Sequence, residues 1–296
     1  MKKALTRCFA LIFAFTFVFS IFATTASAAN YTPRELTLST VKDKNLYSYT
    51  SRNVILNGQK LSLQARIIGS VVYLPIRAFA NAAVPGAIVT YNQTNRTITL
   101  TANGIKLTAT DGAYVVYAND RALFSTTPSV ILSDGRMYLP LTTLAKALGL
   151  SHSETEKSVS LSGSFRPILH ADKYYKEDEV LWLSRIIKAE SEGESLLGKI
   201  AVGNVVLNRV KSKDFPNTIY GVIFDRKYGV QFTPVLNGTI YNTPGYNERL
   251  AAKICLEGTS LSTEVLFFLA PSKSTSFWIV NTRKYAFTIG GHDFFY

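Results

Sequence analysis

Residues 179–194 read EVLWLSRIIKAESEGE, and this stretch decides how the C-terminal half of the chain folds. Leu183, Ile186 and Ile187 fall at positions i, i+3 and i+4, which share one face of an α-helix. Glu190, at i+7, is the next residue on that face. Because burial disfavours the charged form of a carboxyl group, a buried Glu190 would hold a proton near neutral pH and could act as a general acid. The same stretch also fits a helix end at which Glu190 faces water.

The start of the chain has the pattern of a secretory signal peptide. Three basic residues within the first seven precede an apolar run over residues 9–23, and the small residues ASA follow at 26–28. We therefore expect residues 1–29 to be removed and the mature protein to be secreted. An uncleaved membrane anchor is the alternative, but the apolar run is short for a bilayer span. No later segment is long and apolar enough to cross a membrane, so no stable membrane insertion is expected after cleavage.

The composition bounds the partners and the chemistry. The net charge is +12 at neutral pH, which for an exported protein predicts anionic partners such as cell-wall polymers. Nucleic acid is not expected, because the basic residues form neither a concentrated stripe nor a known motif. Cys8 lies in the export signal and Cys255 in an apolar helical pattern, so no disulfide is expected. The histidines lack the spacing of zinc ligands, and neither a metal nor another cofactor is predicted.

The sequence over residues 30–163 repeats itself. VYLPIR at 72–77 recurs as MYLPLT at 137–142, and each copy leads into a short helical pattern and then an alternating strand. A turn sequence, at 57–58 or 119–120, lies upstream of each copy between strand-like runs. We therefore expect a β-rich repeat domain with units of about 60 residues, in which the prolines begin short helices.

This repeat resembles the copper amine oxidase N-terminal-like domain of secreted bacterial proteins. The stretches DGRMYLPL at 134–141 and LAKALG at 144–149 carry the resemblance. Despite the family name, no metal site is expected, because the only histidine here is His152. We expect this domain to be a spacer or a wall-interaction module, joined by a linker at 164–178 to a second domain at 179–296.

The second domain is predicted to be mostly helical with a small β part, so that the chain as a whole is α+β. Helical patterns follow at 196–210, 219–224 and 247–257, a loop at 231–235, and β-like runs at 265–269, 277–279 and 286–294. Gly198 and Gly203 would permit close packing of the first of these helices.

Polar residues around these helices have several possible roles. Asn204 and Asn208 share a helix face and could hydrogen-bond a buried carboxylate or loop backbone, or remain exposed. Glu192 and Glu194 leave the Glu190 helix on other faces and are expected to cap the next helix, whose start favours negative charge. Glu194 is the better of the two as a residue that supports Glu190.

Several motifs after residue 179 resemble the SleB/CwlJ family of bacterial cell wall hydrolases, the spore cortex-lytic type. In chain order they are AESEGE at 189–194, AVGNVVLNRV at 201–210, FPNTIYGVIF at 215–224, QF at 231–232 and IGGHDF at 289–294. The resemblance implies a lysozyme-like fold, peptidoglycan as the substrate, a location at the cell wall or spore, and Glu190 as the catalytic acid. It favours a lytic transglycosylase, in which one carboxyl group suffices because the sugar's own 6-hydroxyl attacks, whereas a hydrolase usually needs two.

The remaining candidate site residues are polar side chains: Gln231, Tyr241 and His292 for substrate, and Glu194, Asn204 and Asn208 for support. Two alternative functions stay open. A zinc amidase would release the stem peptide, but its usual histidine ligands are not found at suitable spacing. A non-catalytic wall-binding protein would need no acid. The domain in front differs from that of the usual spore enzyme, so vegetative wall and spore cortex both remain possible substrates.

Overall fold

The structure is a computed structural model that describes residues 32, 34–102, 104–227, 229–274 and 278–296. The predicted signal peptide lies outside the described residues. Within them, no helix combines the length and the apolar character that crossing a bilayer requires. Residues 33–296 form one structural unit, so the two halves of the chain are in contact.

The first half of the described chain consists of strands with two short helices. Its strands are β1 (Ser51–Leu56), β2 (Gln59–Ile68), β3 (Val71–Pro75), β4 (Ile88–Asn92), β5 (Thr97–Ala102), β6 (Ile105–Thr110), β7 (Val115–Ala118), β8 (Arg121–Phe124), β9 (Val130–Ile131), β10 (Met137–Pro140), β11 (Ser151–Glu154) and β12 (Ser158–Ser162). Helices α1 (Ile76–Ala83) and α2 (Leu141–Leu148) follow β3 and β10. One sheet has the order β11-β12-β1-β2-β3-β10-β9, and a second has the order β4-β5-β6-β7-β8.

The predicted repeat is visible in this architecture. The two Tyr-Leu-Pro strands, β3 and β10, are antiparallel neighbours, with Leu74 opposite Leu139. Their prolines occupy the N-cap positions of α1 and α2. At this position the lack of a backbone N–H removes no hydrogen bond from the helix. The predicted turns at 57–58 and 119–120 join β1 to β2 and β7 to β8, with positive φ at both central residues of each.

The second half of the described chain is helical around a small sheet. Its helices are α3 (Ala171–Tyr174), α4 (Glu177–Ser191), α5 (Leu196–Lys211), α6 (Ile219–Ile223), α7 (Thr233–Asn237), α8 (Tyr246–Leu256) and α9 (Trp278–Thr282). Strands β13 (Phe267–Leu269), β14 (Tyr285–Ile289) and β15 (His292–Phe295) form an antiparallel sheet in the order β13-β15-β14. The predicted α+β fold class is confirmed.

Two local predictions in this half are wrong. The β-like run at 277–279 belongs to α9 as far as it is described, because Trp278 packs edge-on against Phe267 and its carbonyl accepts the Thr282 hydroxyl. The predicted loop at 231–235 contains the start of α7, which has a proline in its first turn and ends at Gly238 with φ 79°.

Helices α4, α5 and α8 pack closely at Gly203. A Cβ at this position would lie 2.7 Å from Cys255 Sγ on α8 and 3.0 Å from Ile187 Cδ1 on α4. The predicted close packing at Gly203 is therefore confirmed, and Cys255 is buried as expected. At Gly198 the nearest contact is not with another helix. A Cβ there would lie 3.0 Å from Cβ of Glu194, which precedes the same helix, α5.

The two halves are joined by a buried ion network around Glu257, just after α8. Its carboxylate accepts hydrogen bonds from Arg121 Nε and Nη2 on β8, both at 2.8 Å, and from the Tyr175 hydroxyl at 2.6 Å. Lys146 Nζ of α2 lies 2.9 Å away. Burial alone would raise the pKa of Glu257, but these three donors hold it below its ordinary value. The β-rich half therefore docks on the helical half through a satisfied buried carboxylate.

Residues 34–39, which we call the strap, connect the two halves a second time. Leu36 N donates to Thr288 O and Thr288 N to Arg34 O, both at 2.9 Å, so the strap runs parallel to β14. The Glu35 carboxylate accepts from Gly290 N at 3.1 Å. Ser39 N then donates to Thr126 O in the β-rich half.

Candidate active site

Glu190 occupies the last turn of α4, and the face that the sequence pattern predicted is buried. Leu183, Ile186 and Ile187 have no exposed surface. Glu190 keeps partial exposure to a cleft, and burial raises its pKa from 4.5 to about 7. The positive charges of Arg209 and Lys273 oppose this rise. Of the two possibilities that the sequence left open, the structure shows the carboxyl group on the core-facing side, able to hold a proton near neutral pH.

The cleft consists of two cavities that meet at Glu190. Both are also lined by Thr233 and Phe268. The polar arm, of about 580 Å³, is lined by amides, hydroxyls and charged groups, including Lys188, Glu192, Asn237, Thr239, Asn242, Lys273 and His292. The basic arm, of about 810 Å³, is lined by aromatic and charged groups, including Arg209, Asp214, Lys227, Gln231, Phe267, Trp278 and Arg283. An elongated substrate can therefore pass over Glu190 with a part on each side.

Arg209 is the main residue that the sequence analysis missed. It is buried on α5, where its Nε donates to Leu266 O at 2.8 Å. The rings of Phe215, Phe232 and Phe267 surround its guanidinium at 4.9, 5.2 and 5.4 Å. Burial lowers the pKa of Arg209 to about 10, which leaves it charged at neutral pH. The available signal was the helix itself, which is apolar on nearly all sides and so predicts burial of any arginine within it.

Lys199, which was also not predicted from the sequence, binds the C-terminal end of α4, the helix that carries Glu190. Its buried Nζ donates to the carbonyls of Ser191, Glu192 and Glu194 at 2.9, 2.6 and 2.8 Å. These carbonyls lie at the end of α4, where helical partners are lacking and a cation is favourable. Lys199 thus fixes the backbone of the turn directly after Glu190.

His292 and Glu194 support the same turn from the opposite side. The His292 ring is hydrogen-bonded to the backbone of Glu190, and its Nδ1 lies 3.4 Å from Glu194 Oε1. Burial lowers the pKa of His292, although Glu194 acts against this. The Glu194 carboxylate also accepts from Gly291 N at 3.3 Å. His292 lines the polar arm, so it contacts both the cleft and the turn that holds the acid.

The predicted capping of α5 by Glu192 and Glu194 is wrong. Ser195 is the N-cap, and its hydroxyl accepts from Gly198 N at 3.2 Å. Glu194 is held by Gly291 instead, and Glu192 is exposed and paired with Lys188, which holds the pKa of Glu192 below its ordinary value. A serine directly before the helix accepts a backbone N–H with better geometry than the longer glutamates.

The two asparagines of α5 bind the loop before β13. Asn204 donates to Thr259 O at 2.8 Å and accepts from Leu261 N at 2.9 Å. Asn208 donates to the carbonyls of Ser262 and Val265 at 2.8 and 2.9 Å. The two asparagines therefore hydrogen-bond loop backbone, which is one of the possibilities that the sequence left open. This loop leads into β13, whose Phe268 lines both arms of the cleft.

The other two substrate candidates lie in different surroundings. Gln231 lines the basic arm, and its Nε2 donates to Gly229 O at 3.2 Å. Tyr241 is 58% exposed and belongs to an aromatic cluster with Trp182 and Phe224, at ring distances of 6.2 and 6.5 Å. Its neighbours Thr239 and Asn242 line the polar arm, whereas Tyr241 itself stands beside it.

Comparison with known families gives two matches. The family described as Cell Wall Hydrolase matches residues 193–295, and the Copper amine oxidase N-terminal domain matches residues 55–162. The first match begins just after Glu190, so the assignment of this residue depends on its geometry.

Individual proteins are similar to part of this chain. The spore cortex-lytic enzyme of Bacillus cereus is 38% identical over 120 residues, which cover 40% of this chain and 45% of that protein. The cell wall hydrolase CwlJ of Oceanobacillus iheyensis is 31% identical over 111 residues, 35% of this chain and 77% of that protein. This chain thus spans less than half the length of the spore cortex-lytic enzyme. The catalytic domain of the germination-specific lytic transglycosylase SleB from Bacillus anthracis is 35% identical, with a TM-score of 0.38, over 41% of this chain and 97% of that domain.

Proposed function

Since this chain belongs to the cell wall hydrolase family through its C-terminal half, we propose that it cleaves peptidoglycan glycan strands as a lytic transglycosylase, with Glu190 as acid and base. One observation carries the proposal. Glu190 lies where the two arms of the cleft meet, and its pKa of about 7 leaves about half of the molecules protonated at neutral pH. An ordinary glutamate would be protonated in roughly one molecule in 300.

The reaction requires two proton transfers, one from Glu190 and one to it. Glu190 donates its proton to the glycosidic oxygen as the bond between that oxygen and C1 of the sugar breaks. The 6-hydroxyl of the same sugar then forms a bond to C1, and the Glu190 carboxylate takes the hydroxyl proton. The product is a 1,6-anhydro sugar, no water is consumed, and Glu190 is protonated again for the next cycle.

The charges around Glu190 fit this one-carboxylate scheme. The charged groups that act on it, Arg209 and Lys273, are both cations, which stabilise the carboxylate after the first proton transfer. A retaining hydrolase would place a second carboxylate about 5 Å from the acid. Glu192 lines the polar arm but is paired with Lys188, and Asp214 lines the basic arm. Hydrolysis with Asp214 as the base is therefore the second candidate.

The other site residues receive roles from their positions. We assign Gln231 and His292 to substrate binding within the cleft, and Tyr241 to a glycan contact beside it. Glu194, through His292 and Gly291, would hold the turn after Glu190, while Asn204 and Asn208 would hold the loop that positions Phe268. Related proteins are spore cortex-lytic enzymes, which supports spore cortex or cell wall as the substrate and location of this one.

We extend the proposal to the rest of the chain. Residues 1–29 would direct secretion, and the β-rich half would be a spacer or wall-interaction module on the helical half. Removal of residues 1–29 takes away Lys2, Lys3 and Arg7 and no acidic residue, which lowers the net charge from +12 to +9. This charge would favour contact with anionic wall polymers.

Digestion of purified peptidoglycan by the parent protein, Glu190→Gln and Glu192→Gln tests the function. The parent should release anhydro-muropeptides, detected by mass spectrometry. Glu190→Gln should lose at least about 100-fold in rate, as expected for removal of a general acid. Glu192→Gln, a matched change on the exposed side of the same turn, should keep most of the activity.

Each other product would identify a different function. Reducing ends without anhydro sugars would show hydrolysis, and free stem peptides would show an amidase. Binding without any product would show a wall-binding protein. Full anhydro yield from Glu190→Gln would refute the assignment of Glu190.

A further inference from the structure

The two arms of the cleft differ in chemistry. The polar arm contains neutral amides and hydroxyls, its Lys188 is paired with Glu192, and Lys273 is a further cation in its lining. The basic arm is lined by three cations, Arg209, Lys227 and Arg283, against two acidic side chains, Asp214 and Glu190 itself. A glycan chain of N-acetylated sugars is neutral, so the backbone of the substrate alone gives no reason for a positive chamber on one side of Glu190.

Arg209 lies in the wall of the basic arm as a buried cation with unused donors. Arg209 is 5% exposed. Within the described chain, Nε is the one atom of its guanidinium that has a hydrogen-bond partner. Nη1 is completely buried without any. Burying a guanidinium without an anionic partner is costly, and the surrounding phenylalanine rings offset only part of that cost. Among the described residues, no carboxylate forms an ion pair with Arg209.

Glu190 does not serve as the missing partner. Glu190 and Arg209 act on each other through their charges, but no ion pair or hydrogen bond joins them among the described residues. Asp225 also acts on Arg209 through its charge alone. Nη2, which is neither completely buried nor hydrogen-bonded within the described chain, is therefore the Arg209 atom available to an anion in the basic arm.

Arg283 extends the positive surface to the mouth of the arm. Its guanidinium stacks over Phe267 at 4.4 Å and Trp278 at 5.2 Å, so it is held beside the cavity although it is exposed. The next residue, Lys284, lies over Tyr296 at 5.8 Å and does not line the arm. Arg283 and Lys284 are thus adjacent cations, of which Arg283 lines the cavity and Lys284 does not.

We propose that the basic arm is a subsite for the peptide stem of the substrate, with Arg209 and Arg283 binding its carboxylates. The inference rests on the proposed function, because it takes the glycan strand as the substrate. In stem-bearing peptidoglycan the lactyl carboxyl group of muramic acid forms the amide to the stem, so the free carboxylates lie on the peptide stems. The exposed guanidinium of Arg283 can bind a carboxylate in two parallel hydrogen bonds, and Nη2 of Arg209 can add one more. The 810 Å³ of the arm can hold several amino-acid residues. The subsite makes the enzyme prefer the bond beside a stem-bearing sugar.

Two substrates and three variants test the subsite. The substrates are glycan strands that carry their stems and the same strands stripped of stems by an amidase. The stripped strands are then amidated at the lactyl carboxylates that the amidase exposes, and both substrates are freed of phosphate-containing wall polymers. The variants are Arg283→Gln, Arg209→Lys and the control Lys284→Gln. Arg283→Gln should lower kcat/KM about tenfold on stem-bearing strands and less than about twofold on stripped strands. Arg209→Lys should lower kcat/KM on both substrates, because Arg209 also acts on Glu190, and by a larger factor on stem-bearing strands. Lys284→Gln should show no loss on either substrate.

A binding experiment tests the subsite independently of the reaction. A labelled stem tetrapeptide should bind Glu190→Gln more tightly than the same peptide with amidated carboxylates, and Arg283→Gln should abolish the difference. Equal binding of both peptides, or equal kinetic losses on both strands, would overturn the subsite even if anhydro products form. Absence of anhydro products from the parent would instead refute the proposed function, while the peptide result would still decide the subsite.

Discussion

Replacement of Glu190 by glutamine is expected to stabilise the folded protein at alkaline pH. The pKa of Glu190 is 4.5 in an unfolded chain and about 7 in the folded protein. Between these values the folded state binds a proton that the unfolded state has released, so stability falls as pH rises from about 4.5 to about 7. The difference corresponds to about 3 kcal/mol above pH 7, an upper limit because Glu190 keeps some exposure to water. Glutamine cannot ionise and escapes this loss.

Urea unfolding of the parent and of Glu190→Gln measures the effect. The free energies of unfolding should be similar at about pH 4, and the variant should be more stable by about 2–3 kcal/mol at about pH 8. Glu192→Gln is the control, because Lys188 lowers the pKa of Glu192. Its contribution is present above the unfolded pKa and is lost as pH falls, so this variant should gain nothing at pH 8. If Glu190→Gln were no more stable than the parent at pH 8, Glu190 would not be a carboxyl group strained by burial.

Two further predictions concern the pH profile and the contact between the halves. The parent's kcat/KM should fall about tenfold per pH unit above about pH 7, as Glu190 loses its proton, and Lys273→Gln should move this limb to higher pH by removing a cation that opposes the rise. Glu257→Gln should lower the free energy of unfolding by about 3–5 kcal/mol, because Arg121 would remain buried without its carboxylate. Urea unfolding measures this loss, with the exposed Glu264→Gln as the control.

Each of these outcomes can fail separately. A flat profile between pH 6 and 9, or a limb unmoved by Lys273→Gln, would contradict the role of Glu190 as the acid. Equal stability of Glu257→Gln and Glu264→Gln would show that the ion network contributes nothing to the docking of the halves.

Local patterns allowed much of the fold to be predicted from sequence. The Asn-Gly and Asn-Asp turns need positive φ at two successive residues, a requirement that is visible in the residue types themselves. The Tyr-Leu-Pro strands and the helices after them likewise follow from adjacent residues. The pairing of β1 with β12 does not, because the register of Val54 with Val159 joins residues about 100 positions apart. Such parallel pairing leaves no short-range signal.

The candidate site was predictable to the extent that helical periodicity determines a direction. The spacing of Leu183, Ile186 and Ile187 predicted where Glu190 would point. Arg209 and Lys199 were missed because a basic residue in a helix normally reaches water, and their burial depends on partners from other segments. The phenylalanines around Arg209 come from three separate places in the chain, which no single sequence window contains.

The strap connects parts of the chain that are more than 250 residues apart, since Glu35 meets Gly290 across a separation of 255. Contacts of such long range form late in folding, because the intervening chain must first become compact. The strap is also held by few hydrogen bonds at one edge of a sheet, which places it among the first elements to open. Amide hydrogen exchange should therefore be faster at Leu36 than in α5. Detachment of the strap would break the hydrogen bond from Gly290 N to Glu35. The next residue, Gly291, binds the Glu194 carboxylate beside the turn that follows Glu190. Through these contacts, residues 34–39 are linked to the turn that follows Glu190.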